Sequence, residues 1–308
     1  MDPSRGEQAA QVFEEHRTRL NGLAYRLLGR TGEAEEVVQD AFLRWASVDR
    51  EDVRDVQAFL IKTVTRLALD RLKSAQARRE EYVGPWLPEP LMTQDPTATI
   101  ALGPLEALEQ RDLVSIGLLL LLERLSAAER GVFVLREAFD LSYQEIATIL
   151  GLEAANCRQI YARAQKHLFT DRSRFAPSRE QHVRLLTEFQ QAIAQGDLDG
   201  LRSLLSDDVT LYNDGGGRVR AARKLVYGAD RVARFFMGLS HKFAEPFGQM
   251  QMVEINGLPA FMVFVNGDLH VTSIEVESGR IRRFYDVVNP DKLAYLRRQL
   301  AQKGNGSA

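Results

Sequence analysis

Six residues on one predicted helix have the types and spacing to grip a polyanion and read what it carries. Over residues 154–168, Cys157, Ile160, Tyr161, Ala164 and Leu168 recur at helical spacing and form an apolar stripe. The opposite face then holds Asn156, Arg158, Gln159, Ala162, Arg163 and Lys166. Arginine can make paired hydrogen bonds to guanine O6 and N7, alanine offers only apolar contact, for example to a thymine methyl, and lysine suits a phosphate. Ser126 with Glu129, and Ser142 with Glu145, have the capping-box spacing that starts a helix, and Gly151 supplies the following break. Residues 125–168 therefore read as three short helices, laid out like a helix-turn-helix whose second helix enters a DNA major groove. Cys157, the only cysteine, falls on the buried stripe; it excludes an intrachain disulfide and suits a reducing cytosol.

A second basic line lies upstream. The pattern predicts a helix over residues 57–79, with Leu60, Ile61, Val64, Leu67, Ala68 and Leu72 on its apolar side. Phe59, Lys62, Thr63, Arg66 and Lys73 share the other side, followed by Arg78 and Arg79. Cations beside an aromatic ring and a small hydroxyl suit a phosphate backbone and an unstacked base. Just before it, phasing of residues 33–45 turns Val38, Ala41, Phe42 and Trp45 inward and Glu36, Gln39, Asp40 and Leu43 outward. An acidic face with one exposed leucine is either plain solvated surface or a docking face for a basic partner.

The elements that must position these residues fall into segments. The chain of 308 residues, 45% hydrophobic and 27% charged, can hold two or three small domains. A net charge of −2 excludes wholesale coating of nucleic acid, so contacts must come from local basic surfaces. No apolar run is long enough to span a bilayer, and the acidic N-terminus does not resemble a signal peptide; a cytoplasmic protein is expected. Residues 8–80 read as helical, and 81–107 as a linker punctuated by Gly84, Pro85, Pro88, Pro90, Pro96, Gly103 and Pro104. Helices resume over 108–172, and Pro177 marks a second junction. Within 178–303, Ser178 and Gln181 cap a helix to about residue 195, and strands are predicted over 209–212, 249–255, 260–265, 269–276 and 280–288. Asn256-Gly257 and Asn266-Gly267 mark hairpins, a helix over 229–239 interrupts the strands, and another follows Pro290. Two all-α domains followed by an α+β domain with a curled antiparallel sheet are expected.

These segments resemble a known family. EAEEVVQDAFLRW (33–45) resembles region 2.2 of bacterial RNA polymerase sigma factors of the extracytoplasmic-function type. FLIKTVTRLALDRLKSAQARRE (59–80) is similar to regions 2.3 and 2.4, and LSYQEIATILGLEAANCRQIYARAQKHL (141–168) to region 4.2. The resemblance implies that Glu36, Gln39, Asp40 and Leu43 help dock a coiled coil of the polymerase β′ subunit. It further implies that Lys62, Arg66, Lys73 and the loop 47–56 engage and help open the −10 promoter element. Region 4 would read the −35 element through Arg158, Gln159, Ala162 and Arg163, with Lys166 on phosphate. The linker motif WLPEP (Trp86, Leu87, Pro88, Glu89, Pro90) joins a C-terminal domain that carries two further motifs. These are DGGGR (Asp214, Gly215, Gly216, Gly217, Arg218) and NPDKL (Asn289, Pro290, Asp291, Lys292, Leu293). That combination resembles the sigma subgroup with a fused SnoaL-like domain of the cone-shaped nuclear transport factor 2-like fold, which regulates the sigma core in cis.

The C-terminal domain leaves alternatives open. Asp214, Asp268, His270 and Asp286 are the available acid–base groups, but they complete no catalytic constellation, and nothing calls for a cofactor or a metal. The cone could bind an unknown small ligand, or act only through protein contacts. The three glycines after Asp214 suggest a tight turn or close backbone contact. NPDKL reads as a helix start, with Asn289 as cap and Pro290 in the first turn, and as a segment that packs on the linker or on region 2. Other readings of the whole chain are a helix-turn-helix regulator with a ligand-sensing cone, and a cone-fold isomerase or cyclase with a DNA-binding module.

Overall fold

The structure, a computed structural model, describes residues 3–49, 53–79, 82–93, 114–169, 178–243 and 249–305. The second half of the expected linker, the expected start of region 4 at 108–113, Pro177, residues 50–52 of the 47–56 loop and the side chains of Arg78 and Arg79 lie outside the described residues. Two compact units emerge. One takes the helices up to residue 80 and region 4 from Leu118; the other takes 81–94, 115–117 and everything from 173.

In the first unit, α1 (Pro3–Leu28), α2 (Thr31–Ser47) and α3 (Val56–Arg79) pack through stripes at helical spacing. Leu20, Leu23, Ala24 and Leu27 of α1 meet Ala34, Val38, Ala41 and Trp45 of α2 and Leu60, Val64, Ala68 and Leu72 of α3 in one core, all essentially buried. The Trp45 indole donates to the Ala9 carbonyl at 3.0 Å, satisfying the one polar atom that its burial would strand. Region 4 follows as α4 (Ile116–Leu122), α5 (Ala127–Phe139), α6 (Tyr143–Leu150) and α7 (Ala154–Phe169). Both capping boxes form, from Ser126 with Glu129 and from Ser142 with Glu145. The α6–α7 break is made by Gly151 in the left-handed region at φ 70°.

The segment expected to be region 4 packs directly on α1 and α3. Arg130 of α5 is fully buried; its guanidinium donates to the Glu123 carboxylate at 2.6 Å and to the carbonyl of Arg26, near the end of α1, at 3.4 Å. Burial pulls the Arg130 pKa down to about 9. Gly131 lies against Leu69 of α3, where an added Cβ would come within 3.2 Å of a methyl group.

In the second unit, α8 (Arg179–Gln195), α9 (Leu198–Ser203) and α10 (Ala229–Lys242) cover one face of a six-stranded sheet. Its strands are β1 (Leu205–Asp214), β2 (Val226–Tyr227), β3 (Gln251–Ile255), β4 (Leu258–Val265), β5 (Asp268–Glu277) and β6 (Arg280–Val287), in the order β2-β1-β6-β5-β4-β3. Phe189 centres the core, its ring 5.0 Å from Phe236 and 5.3 Å from Phe284. The two Asn-Gly hairpins form with both central residues at positive φ, and Ser278-Gly279 makes a third of the same kind.

Two expectations change. The sheet is mixed, because β1 and β6 run parallel while the other pairs are antiparallel. The β3–β6 meander delivers its last strand beside β1, pointing the same way. The last helix, α11 (Ala294–Asn305), begins after NPDKL rather than at Pro290. Asn289 instead closes a turn: its side-chain oxygen accepts from the Asp291 amide and its carbonyl accepts from Lys292 and Leu293.

Candidate nucleic-acid interface and linker clamp

The polar face expected on α7 is exposed. Asn156, Arg158, Gln159, Ala162, Arg163 and Lys166 are all exposed on α7, while Cys157, Ile160, Ala164 and Leu168 are buried. Tyr161, expected on the apolar stripe, is half-buried; it stacks on Phe133 at 6.2 Å and donates its hydroxyl to Glu137. The Arg158 guanidinium lies 5.7 Å from the Tyr143 ring centroid, which steadies the side chain without consuming its hydrogen-bond donors.

The upstream helix is more divided. Lys73 is exposed and Lys62 half-buried. Phe59 is half-buried with its ring 5.8 Å from Trp45. Thr63 is buried, and its hydroxyl donates to the Phe59 carbonyl at 2.8 Å, so in this conformation it faces the helix rather than solvent. Arg66 donates through Nε to the carbonyl of Ile149 in α6 at 3.1 Å, which engages one end of its fork with region 4. On α2, Glu36, Gln39, Asp40 and Leu43 are exposed together; Leu43 keeps 60% of its surface in solvent. Glu36 pairs with Arg71 of α3 at 2.8 Å.

In the second unit, the three motifs meet at one buried point. The Asp214 carboxylate is fully buried at the end of β1. It accepts from the Tyr82 hydroxyl at 2.5 Å, the Leu87 amide at 2.7 Å and the Lys292 ammonium at 2.6 Å. Lys292, 3% exposed, also donates to the Leu87 carbonyl, and its ammonium sits 4.3 Å from the Trp86 ring centroid and 4.6 Å from that of Tyr82. A cation so enclosed is tolerable only because carboxylate, carbonyl and two π faces replace its water. Asn289 donates to the Tyr82 hydroxyl at 2.9 Å, and Arg218 pairs with Asp291 at 2.9 Å. Gly216 explains the glycine run. It sits at φ 57°, and a Cβ there would fall 2.1 Å from the Asn289 amide and 2.8 Å from the Tyr82 hydroxyl.

A second station holds the linker farther along. Leu91 and Asn256 exchange hydrogen bonds at 2.8 and 2.9 Å, Met92 exchanges two with the Gln299 side chain, and Thr93 donates to Glu254. Leu87, Pro88, Glu89 and Pro90 are buried, and Trp86 is half-buried. Leu293, the last residue of NPDKL, is fully buried and anchors that turn. Sequence reasoning missed Tyr82 and Gln299 and named Asn256 only as a hairpin residue; of the two missed, only Tyr82 carried a signal, an aromatic with a polar handle at the head of a proline-rich stretch.

The remaining acid–base candidates are scattered. Asp214 is committed to the clamp, and Asp268 is exposed 3.6 Å from Arg297. His270 and Asp286 face the cone interior.

A helical pair of domains, one with an exposed acid-and-leucine face and one with a basic reading helix, joined to an α+β cone, defines a promoter-recognising transcription factor. The description "Sigma-70 region 2" matches residues 12–78, and "Sigma-70, region 4" matches 116–168. The ECF RNA polymerase sigma factor SigJ of Mycobacterium tuberculosis (strain ATCC 25618 / H37Rv) is 36% identical over 290 residues, covering 91% of each chain. The probable ECF RNA polymerase sigma factor SigI of the same strain is 35% identical over 304 residues, covering 96% of this chain and 99% of its own. The crystal structure of SigJ superposes with a TM-score of 0.75 at 34% identity, covering 93% of this chain and 98% of that one. The chain belongs to the extracytoplasmic-function RNA polymerase sigma factors, and its likeness to SigJ and SigI runs through the C-terminal α+β domain as well as the two helical regions. Such a factor binds core RNA polymerase and directs it to particular promoters. Among the described residues no helix is long and apolar enough to cross a membrane.

Proposed function

We propose that the C-terminal domain restrains this sigma factor in cis by clamping its linker, and that the exposed faces divide the work of initiation. The α2 face of Glu36, Gln39, Asp40 and Leu43 docks the β′ coiled coil. Lys62, Arg66 and Lys73 meet the −10 element, and Arg158, Gln159, Ala162 and Arg163 meet the −35 element. The protein acts by binding; the chemistry of transcription belongs to the polymerase.

The observation that carries the restraint is the buried Asp214–Lys292 pair closed around Tyr82, Trp86 and Leu87. Elements named for positions about 25 base pairs apart lie roughly 85 Å apart at about 3.4 Å per base pair. Regions 2 and 4, packed against each other through Arg130 and Arg66, cannot span that distance. Pinning residues 82–93 to the sheet takes up chain that separation requires. Removing both charges with Asp214→Asn and Lys292→Met avoids stranding either one. With purified core polymerase, the double variant should yield severalfold more transcript than the wild type from the same promoters. Equal output would refute the restraint.

A further inference from the structure

From the end of β1 into α10, the C-terminal domain concentrates positive charge. Residues 215–234 carry five arginines and one lysine against a single acid, Asp230, in a chain whose net charge is −2. Arg218 is taken by Asp291 at 2.9 Å and Arg234 by Asp230 at 2.8 Å. Arg220, Arg223, Lys224 and Arg231 are exposed, and they make no ion pair or side-chain hydrogen bond among the described residues. Tyr227, in the same run, keeps 56% of its surface in solvent. The loop is fixed along the edge of β1. The Ala222 amide donates to the Asn213 side chain at 2.7 Å, and Val226 and Tyr227 pair with Leu211 and Thr210. This antiparallel course leaves the acids of β1, Asp207 and Asp208, past Tyr227 and away from Arg220 and Arg223; Asp208 pairs with Arg282 at 3.6 Å.

We propose that this loop is a third DNA contact, in which Arg220, Arg223, Lys224 and Arg231 meet phosphates of the promoter duplex without reading its bases. Arg220 to Lys224 spans at most about 14 Å of extended chain, a length over which duplex DNA carries about eight phosphates at one per ~1.7 Å. Several cations can therefore engage at once, and the Tyr227 hydroxyl can donate to a further phosphate. Most of the loop is irregular chain rather than a helix or ribbon shaped for a major groove, so it meets backbone and not base edges. An anionic membrane is the poorer fit. Interfacial binding needs an exposed apolar face, and here Leu225 and Val226 are half-buried, leaving only Tyr227. None of the four cations takes part in the Asp214–Lys292 pair, so this contact can fail while the clamp stands.

The test is fluorescence anisotropy of a labelled duplex of arbitrary sequence, titrated with the full-length protein between about 50 and 200 mM salt. In one variant Arg220→Gln, Arg223→Gln, Lys224→Gln and Arg231→Gln are combined. Each phosphate contact contributes about 0.9 to the slope of log K against log salt, so the variant should lose roughly 3 to 4 from that slope. A second variant, with Arg220→Lys, Arg223→Lys and Arg231→Lys, keeps the charge and should keep the slope. All these side chains are exposed, and unchanged circular dichroism checks that the fold is retained. No binding by the wild type, an equal slope in the glutamine variant, or the same loss in the lysine variant would overturn the contact. So would glutamine substitutions that abolish binding to phosphatidylglycerol vesicles while leaving the DNA slope unchanged.

Discussion

Arg158 stands on α7 with its guanidinium against Tyr143, exposed and aimed away from the core. A bidentate contact from such a residue to guanine is worth about 1–3 kcal/mol of discrimination. Arg158→Ala should therefore flatten the −35 preference by that amount in competition binding. Arg158→Lys should recover little of it, because an ammonium lacks the planar fork. The capping boxes give a second prediction. Hydrogen bonds to the Ser142 side chain and backbone hold the Glu145 carboxyl below its ordinary value of 4.5. A carboxyl depressed in the folded state contributes stability that is present above its unfolded pKa and lost as pH falls through the folded one. Ser142→Ala should cost about 1 kcal/mol in denaturant unfolding at neutral pH. Its difference from the wild type should shrink as the buffer is taken below about pH 4.

At the scale of elements, α2 offers the most separable surface, since Asp40 and Leu43 are exposed and the core stripe of Ala34, Val38, Ala41 and Trp45 lies opposite. Replacing both Asp40 and Leu43 by arginine should abolish co-purification with core polymerase and leave the helical circular dichroism unchanged; retained binding would reassign that face. The longer helices were legible in the sequence through their apolar stripes, and α5, α6 and α8 also through local caps at Ser126, Ser142 and Ser178. The Asn-Gly hairpins were legible for the same local reason. The parallel pairing of β1 with β6 was not, since it joins residues about 75 apart and no turn announces it. The two-residue β2 and the six-residue α9 are too short to show a period. The clamp lay further out of reach: DGGGR and NPDKL could be singled out, but Tyr82 meets Asp214 across 132 positions and Leu87 meets Lys292 across 205. The polarity of the cone interior was half visible, with Asp286 and His270 named as candidates and their common direction supplied only by the strand register.

At the scale of the molecule, each compact unit holds something back. In the first, region 4 lies on α1 and α3, and Arg66 of α3 is bonded to the Ile149 carbonyl. In the second, the linker is fixed at two stations. In the proposed restraint, promoter engagement opens the first arrangement, and release of the second supplies the length of chain to do it. The measurement that tests this most directly is energy transfer between dyes at Asp70→Cys and Thr148→Cys. Both positions are exposed and flank the α3–α6 contact, while the native Cys157 thiol is buried and will not label. High transfer is predicted for the free wild type, and a fall when core polymerase and promoter DNA are added. A fall in the free protein is also predicted when Asp214→Asn and Lys292→Met are introduced. Transfer that stays equally high in the free clamp variant would contradict the claim that the linker clamp keeps the two DNA-binding regions together.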